Sequence, residues 1–281
     1  MKDPLRDLCV LMAPARAGRP HDPVSGPVRC PFCPGNEDMT PPELMRIGDP
    51  WRVRVFPNKY PATDMHEIVV DSPEHGPGLH DLSLEQLSTA TAVWSSRVKN
   101  MYRAGAAYVS LFHNRGRSAG ASRQHIHTQI IGLKTIPPKI RAQMSFLQQN
   151  PDYFDQVIST GFIVHQNQHI VALCPPVPVW PYEVWIVPKR PESMLPDDTR
   201  PFSRVLRVVL RAISLALGEP DYNLLVKTMP WSNWRWRAEV VPRTGKLAGF
   251  ELDTGCRIVS VPPERARDEL LSAIESEGGV E

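Results

Sequence analysis

The 281-residue sequence has no apolar run long enough to cross a membrane, since the longest, 205–217, is interrupted by Arg207 and Arg211. The charged N-terminal segment, residues 1–8, has no apolar core of the kind that signal peptides carry, so secretion is not expected. The net charge of +2 is too small to favour nucleic acid or a membrane surface as a partner. We therefore expect a cytoplasmic protein that binds any anionic ligand locally.

Cysteine is scarce and odd in number, with five residues, which argues against a disulfide framework and fits a reducing compartment. Cys30 and Cys33 form a CxxC pair in a segment rich in proline and glycine, where both thiolates can face one metal ion. A redox pair of the thioredoxin type is the alternative, but Pro34 and Gly35 follow at once where that motif has a helix. A zinc site needs two further ligands.

Hydrophobic periodicity predicts the same order of elements in two halves of the chain. The first half has strands at 67–70, 106–112 and 125–131. Its helix begins near Ser83, with Gln86 completing a capping box. The second half has strands at 183–187, 223–227 and 236–241. Its helix runs from Pro201 to Leu217 and ends at Gly218. We interpret this as an internal duplication, with two coincidentally similar segments as the alternative.

Two histidines and a glutamine alternate with other residues in the segment HIHTQ. The period of two of a β-strand places His125, His127 and Gln129 on one face. Taken alone, such a pair of histidines more often belongs to a solvated strand face. The segment immediately before it changes this interpretation.

The segment 114–122 is rich in glycine and serine and carries two arginines. Gly116 and Gly120 permit its backbone N–H groups to approach a phosphate closely. A mobile surface loop is the alternative. Because the loop leads directly into the histidine strand, the sequence favours a phosphate cradle.

Several motifs occur in the order found in one known family: CPFCPGNED, TPPE, FPNKYPA, SPEH, NRGRSAGAS and HIHTQ, then WPYEVWIVPKR, AEVVPR and AGFELDTG. The chain resembles the galactose-1-phosphate uridylyltransferases and their relatives in the histidine-triad superfamily, which include plant ADP-glucose phosphorylase. The resemblance implies an α+β fold of two histidine-triad-like halves, each an antiparallel sheet with a long helix. The halves would be residues 1–150, with the zinc and the HxHxQ motif, and 151–281, without the HxH.

The resemblance also implies one structural Zn²⁺ per chain. Its ligands would be Cys30, Cys33, His75 and His125. Many relatives have a second metal site, but here its histidine positions are occupied by Lys227, Arg235 and Arg237, and its glutamate is Glu183. We expect that site to hold no metal and its cationic side chains to pair with Glu183 instead.

In this family a histidine takes a nucleoside monophosphate from a nucleotide sugar, and His127 matches it. Ser122 and Gln129 match the residues that donate hydrogen bonds to the transferred phosphoryl group. In the wider superfamily, a histidine at the Gln129 position goes with hydrolysis. Glutamine at this position therefore favours transfer to phosphate acceptors over transfer to water.

The implied nucleotide- and phosphate-binding residues extend beyond the histidine strand. They are Arg16, Arg19, Phe56, Asn58, Asn114, Gly116, Gly120, Ser122 and Gln129. The same pocket residues occur in relatives that use uridine and in relatives that use adenosine. The segment 249–251 resembles the family's stretch that reaches the sugar site of a partner subunit, which implies a homodimer.

The resemblance implies a ping-pong nucleotidyltransferase that moves the monophosphate from an NDP-sugar to a sugar 1-phosphate. One alternative is a phosphorylase of NDP-sugars or dinucleoside polyphosphates, in which inorganic phosphate is the acceptor. A second alternative, of another class, is a non-catalytic zinc-containing nucleotide-binding protein. Neither nucleic acid nor a membrane is expected as a partner.

Overall fold

The computed structural model describes residues 2–3, 8–14, 16, 29–276 and 278. Arg19 lies outside this part of the chain. The strands are β1 Lys2–Asp3, β2 Leu8–Cys9, β3 Met45–Ile47, β4 Val53–Pro57, β5 Met65–Val70, β6 Tyr108–Arg115, β7 His127–Leu133, β8 Phe162–Gln166, β9 Ile170–Cys174, β10 Val184–Pro188, β11 Tyr222–Lys227 and β12 Arg237–Pro242. The α-helices are α1 Leu84–Arg103, α2 Pro138–Gln149, α3 Tyr153–Thr160, α4 Arg200–Leu217, α5 Gly249–Thr254 and α6 Pro263–Ser276.

Among these residues, ten strands form one continuous sheet in the order β3-β4-β5-β7-β6-β11-β12-β10-β9-β8. All neighbouring strands pair antiparallel. Read outward from the β6–β11 junction, the two halves have equivalent orders, β6-β7-β5-β4-β3 and β11-β12-β10-β9-β8. The long helix follows the equivalent strand in each half, α1 after β5 and α4 after β10.

The two halves share one sheet, whereas the resemblance implies a separate sheet for each half. β11 pairs along its whole length with β6, from Tyr222 opposite Arg115 to Lys227 opposite Ser110. Pairing these strands satisfies N–H and C=O groups that would otherwise form two exposed edges. The repeated order is consistent with the predicted duplication, and the division at residue 150 stays a prediction.

Helix α1 begins, and helix α4 begins and ends, where the sequence predicts. The Ser83 hydroxyl accepts a hydrogen bond from the Gln86 N–H at 3.1 Å, which caps α1. Gln86 does not complete the capping box, because its side-chain amide donates to the carbonyl oxygens of Arg52 and Asp71 at 2.8 and 2.7 Å. α4 ends at Gly218, whose φ of 68° is the left-handed conformation that suits a C-terminal cap.

A single apolar core joins the sheet to α1 and α4. Trp94 of α1 and Trp236 beside β12 are fully buried in it. Where the helices meet, the Thr91 hydroxyl lies 2.7 Å from the hydroxyls of Thr199 and Ser203. Because these groups satisfy one another, the two helices can pack closely without leaving buried polar atoms unpaired.

A buried carboxylate connects α1 to the histidine strand. Asp71, directly after β5, is fully buried and accepts from the Trp94 indole N–H at 2.7 Å and from the Thr128 hydroxyl at 2.8 Å. Thr128 stands between His127 and Gln129 in β7, so its two neighbours point to the opposite face of the sheet. Asp71 therefore helps to fix which face of β7 presents His127 and Gln129.

We predict that Asp71→Ala lowers the free energy of unfolding by about 3 kcal/mol, because two buried donors lose a charged acceptor. Urea denaturation at neutral pH measures the change. The matched control is Asp64→Ala, since Asp64 is exposed and lies 3.4 Å from Lys134 at the surface, where ion pairs contribute little. Equal effects of the two substitutions would contradict this role for Asp71.

Candidate functional site

Four side chains from distant parts of the chain meet beside the start of β7. The ligand atoms of Cys30, Cys33, His75 and His125 all lie within 4.8 Å of one another. The Cys33 Sγ lies 3.3 Å from His75 Nδ1 and 3.5 Å from His125 Nδ1, and the Cys30 Sγ lies 3.8 Å from His125 Nδ1. A tetrahedral Zn²⁺ with ordinary bond lengths needs sulfur–nitrogen separations of about 3.6 Å. The four residues fit a Cys₂His₂ metal site.

His125 is oriented for this role by the backbone. Its Nε2–H donates to the carbonyl oxygen of Ser72 at 2.8 Å, which leaves the lone pair of Nδ1 directed at the two sulfurs. Burial and the neighbouring Cys30 raise the pKa of the Cys33 thiol to about 11. A cation that binds here must therefore displace a thiol proton at neutral pH.

His127 is held in the opposite tautomer. Its Nδ1–H donates to the carbonyl oxygen of His125 at 2.9 Å, so the lone pair lies on Nε2. The side chain is buried, and burial lowers the pKa of His127 to about 4. The imidazole is consequently neutral at physiological pH. An uncharged ring with a free lone pair is the form in which histidine acts as a nucleophile.

His127 lines a cavity whose walls combine aromatic and polar side chains. The lining residues are Pro31, Phe32, Met39, Thr40, Pro41, Phe56, Asn58, Lys59, Tyr60, Ile68, Ser122, Arg123, His127 and Gln129. The Phe32 ring lies 5.2 Å from the His127 ring and 5.6 Å from the Phe56 ring, measured between centroids. Such a combination of apolar walls and few convergent polar groups is typical of small-molecule sites.

Five of the predicted site residues meet in this cavity: Phe56, Asn58, Ser122, His127 and Gln129. Phe32 and Arg123 were not predicted. The Arg123 guanidinium lies 5.6 Å from the Phe32 ring. Phe32 stands between the two cysteines of the CxxC motif. The spacing of the cysteines predicts a metal site but gives no indication that the residue between them lines a cavity.

Two other predicted residues lie at the margin of the site. The Arg16 guanidinium donates to the carbonyl oxygen of Tyr60, a cavity residue, at 2.9 Å. Asn114 is not among the residues that line the cavity in the described part of the chain. Its side-chain oxygen accepts from Asn223 at 2.9 Å, which places it in the support of the glycine-rich loop.

The glycine-rich loop is braced by the second half of the chain. The Asp221 carboxylate accepts from the Ser118 N–H at 2.6 Å, and the Asn223 amide donates to the Ala119 carbonyl oxygen at 2.9 Å. The Gly120 and Ala121 N–H groups donate within the loop at 3.0 Å. These bonds occupy much of the backbone that the sequence assigned to a phosphate cradle. The loop instead delivers Ser122 and Arg123 to the cavity.

The cationic residues of the second half do not pair with Glu183, so this expectation was wrong. Lys227 and Arg237 both contact Glu239 at 2.7 Å, and Arg235 contacts Asp155 at 2.8 Å. The register of β11 and β12 explains the pairs with Glu239. Glu239 stands opposite Leu225 and Arg237 opposite Lys227, so Glu239 lies diagonally from Lys227 and two residues from Arg237 on the same face of the sheet.

Glu183 has other partners. It accepts from the Val179 N–H and from the Trp185 indole N–H, each at 2.7 Å. Burial raises the pKa of Glu183 and, with the neighbouring Arg237, lowers the pKa of Lys227 to about 8.

A family described as a domain of unknown function (DUF4921) matches residues 82–278. The chain is 30% identical to the ADP-glucose phosphorylase of Arabidopsis thaliana, over 94% of this chain and 89% of the relative. It is 27% identical to the galactose-1-phosphate uridylyltransferase of Thermotoga maritima, over 74% of this chain and 73% of the relative.

The fold is similar to that of a solved relative. The crystal structure of an ADP-glucose phosphorylase from Arabidopsis thaliana with bound ADP-glucose superimposes with a TM-score of 0.79 at 28% identity, covering 96% of this chain and 97% of that one. The predicted α+β fold is confirmed. Within the described residues, no helix is both long and apolar enough for a membrane crossing.

We predict that Gly116→Ala destabilises the protein by about 1–3 kcal/mol more than Gly120→Ala. Both glycines have left-handed φ angles, of 82° and 81°. A Cβ at Gly116 would meet the Asp221 carboxylate at 1.6 Å, whereas at Gly120 it would have nothing within 4 Å. Denaturation midpoints measure the difference, and the Asp221→Ala background should remove it. A difference that persists in that background would refute the steric explanation.

Proposed function

This chain belongs to the DUF4921 family and to the galactose-1-phosphate uridylyltransferase-like proteins that include ADP-glucose phosphorylase, and on this premise we propose that it transfers a nucleoside monophosphate through His127. The donor is a nucleotide sugar. The acceptor is a phosphate group, with sugar 1-phosphate as the first candidate.

In the first step, the Nε2 lone pair of His127 attacks the α-phosphorus of the donor. An N–P bond forms, the bond from phosphorus to the bridging oxygen breaks, and sugar 1-phosphate leaves. In the second step a phosphate oxygen of the acceptor attacks the same phosphorus. The N–P bond then breaks and neutral His127 is regenerated, so the histidine is not consumed.

The surroundings of His127 support both steps. As the ring gains positive character on bonding to phosphorus, its Nδ1–H remains donated to the His125 carbonyl, at 2.9 Å in this structure. Ser122 and Gln129 line the same cavity, where their donors can stabilise charge on the phosphoryl oxygens. The observation that carries the proposal is the neutral, buried His127 with its lone pair on Nε2.

The cavity walls suit the rest of the donor. Phe32 and Phe56 offer apolar surface of the kind that a nucleobase requires. Arg123 and Lys59 line the same cavity and carry charge of the sign that pairs with phosphate. We assign Asn58 and Arg16 to the nucleotide region, while Asn114, Gly116 and Gly120 shape the loop that delivers Ser122.

A second candidate is a phosphorylase, in which inorganic phosphate attacks the intermediate and releases NDP. Its support is the 30% identity to the ADP-glucose phosphorylase of Arabidopsis thaliana over nearly the whole chain. The two reactions share every residue described above and differ only in the acceptor. A nucleotide-binding protein without turnover is the third possibility.

We infer that the Cys₂His₂ cluster holds Zn²⁺ and that this ion is structural, since four protein ligands close its coordination shell. In the second half, Lys227 and Arg237 stand where the resemblance implies histidines of a second metal site. We infer that their ion pairs with Glu239 take the place of an ion there. A homodimer, a cytosolic location and a functional division near residue 150 stay predictions.

We predict about one zinc per chain, measured by elemental analysis of the purified protein. Cys33→Ser or His75→Ala should lower the zinc content several-fold. The control His127→Ala should keep it, because His127 lies next to the cluster but contributes no ligand atom to it. Two metals per chain would show that the second half binds an ion despite its cationic residues.

We predict that brief exposure to the correct donor, among UDP-, ADP- and GDP-sugars, adds one nucleoside monophosphate to the intact mass. His127→Ala should form no adduct. His165→Ala, which alters a half-buried histidine in β8, should form it normally. Loss of the adduct on addition of sugar 1-phosphate would then indicate a transferase, and loss on addition of inorganic phosphate would indicate a phosphorylase. An absence of adduct with every donor would favour the binding protein.

A further inference from the structure

We propose that His66 is a positioning residue that sets the orientation of the Gln129 amide, so that the NH₂ group of Gln129 faces the transferred phosphoryl group. The inference rests on the proposed function for its catalytic meaning. Its geometric content, a tautomer and an amide orientation, stands independently of that function.

His66 lies in β5 and is buried, and its ring nitrogens lie beside a backbone N–H and two side-chain amides. Its Nδ1 lies 3.0 Å from the Ala62 backbone nitrogen, whose N–H can only donate. Nδ1 must therefore carry a lone pair. The ring is consequently neutral, and its proton is on Nε2.

Two side-chain amides lie within hydrogen-bond distance of the Nε2–H. Asn58 Nδ2 lies at 3.1 Å and Gln129 Oε1 at 3.2 Å. Asn58 cannot turn its oxygen toward His66, because Asn58 Oδ1 already accepts from the Tyr60 N–H at 2.8 Å. Of these two amides, Gln129 is the one that can offer an oxygen to the Nε2–H, and its Oε1 lies within hydrogen-bond distance.

This assignment fixes Gln129 in one of its two amide orientations. The opposite orientation would bring its NH₂ group against the His66 N–H, so that two donors would face each other at a buried site. With Oε1 engaged, the Gln129 NH₂ group is the part of the side chain left for the cavity that His127 also lines. The hydrogen bond from His66 thus holds the Gln129 amide in the orientation that presents its NH₂ group to the cavity.

The position of His66 in the sheet explains how it reaches Gln129. In the β5–β7 register Ile68 stands opposite Gln129 and His66 opposite Ile131. His66 and Gln129 therefore lie diagonally on the same face, a distance that a histidine ring can span.

The test is a double-mutant cycle on the rate of nucleotidyl-enzyme formation in a single turnover. We expect His66→Ala and Gln129→Ala each to slow that step about 10²-fold, the effect of losing one preorganised donor. If His66 acts through Gln129, the double variant is no slower than Gln129→Ala alone. Independent roles would instead multiply to about 10⁴-fold, which would overturn the proposal.

A conservative variant separates positioning from support of the fold. His66→Gln retains an N–H donor at about the reach of Nε2, so it should recover much of the rate that His66→Ala loses. Donor affinity should change far less than the rate of the chemical step, because Gln129 acts mainly on charge that develops at phosphorus. A loss of zinc or of folded structure in His66→Gln, with no recovery of rate, would contradict positioning.

The failure of the proposed function would be recognised separately, because the wild-type enzyme would then form no nucleotidyl adduct. In that case ¹⁵N NMR of the histidine rings decides the inference. We expect His66 to show a protonated Nε2 and an unprotonated Nδ1, with the Nε2 resonance shifted in Gln129→Ala. A proton on Nδ1, or no response to that substitution, would overturn it.

Discussion

The candidate site depends on one backbone carbonyl, that of His125. The ring of His125 faces the cysteine sulfurs through Nδ1, and its carbonyl oxygen accepts the Nδ1–H of His127 at 2.9 Å. The two histidines are thereby fixed in opposite tautomers within three residues of chain. A metal bound to the His125 ring would also hold the carbonyl that orients His127, so in the proposed function the cluster would support His127 without contacting substrate.

The second half of the chain contributes support to this site. Asp221 and Asn223 brace the loop that delivers Ser122, and β11 continues the sheet beside β6. Its own equivalent region is occupied by Lys227 and Arg237 paired with Glu239, buried charges that stabilise one another. Residues of the first half thus line the candidate cavity, while Asp221, Asn223 and β11 brace the loop and the edge of the sheet.

The sequence predicted the elements with strong periodicity. The start of helix α1 after Ser83, both ends of helix α4, and the HxHxQ strand lie within about two residues of where their patterns placed them. The sequence missed the short strand β9, whose uniformly apolar residues have no alternation, and β4, in which the charged Arg54 is buried. His66 was also missed, because its role depends on Ala62 and Gln129, which only the folded sheet brings together. The partners of Lys227 depend on strand register, which motif spacing does not encode.

In the proposed reaction, the tautomer of His127 directs chemistry to its Nε2 atom. This can be measured as ³¹P–¹⁵N coupling in a nucleotidyl-enzyme intermediate prepared from protein with ¹⁵N-labelled histidine. We predict one coupling, between phosphorus and Nε2 of His127, with Nδ1 still protonated. A bond to Nδ1, or to another residue, would contradict it.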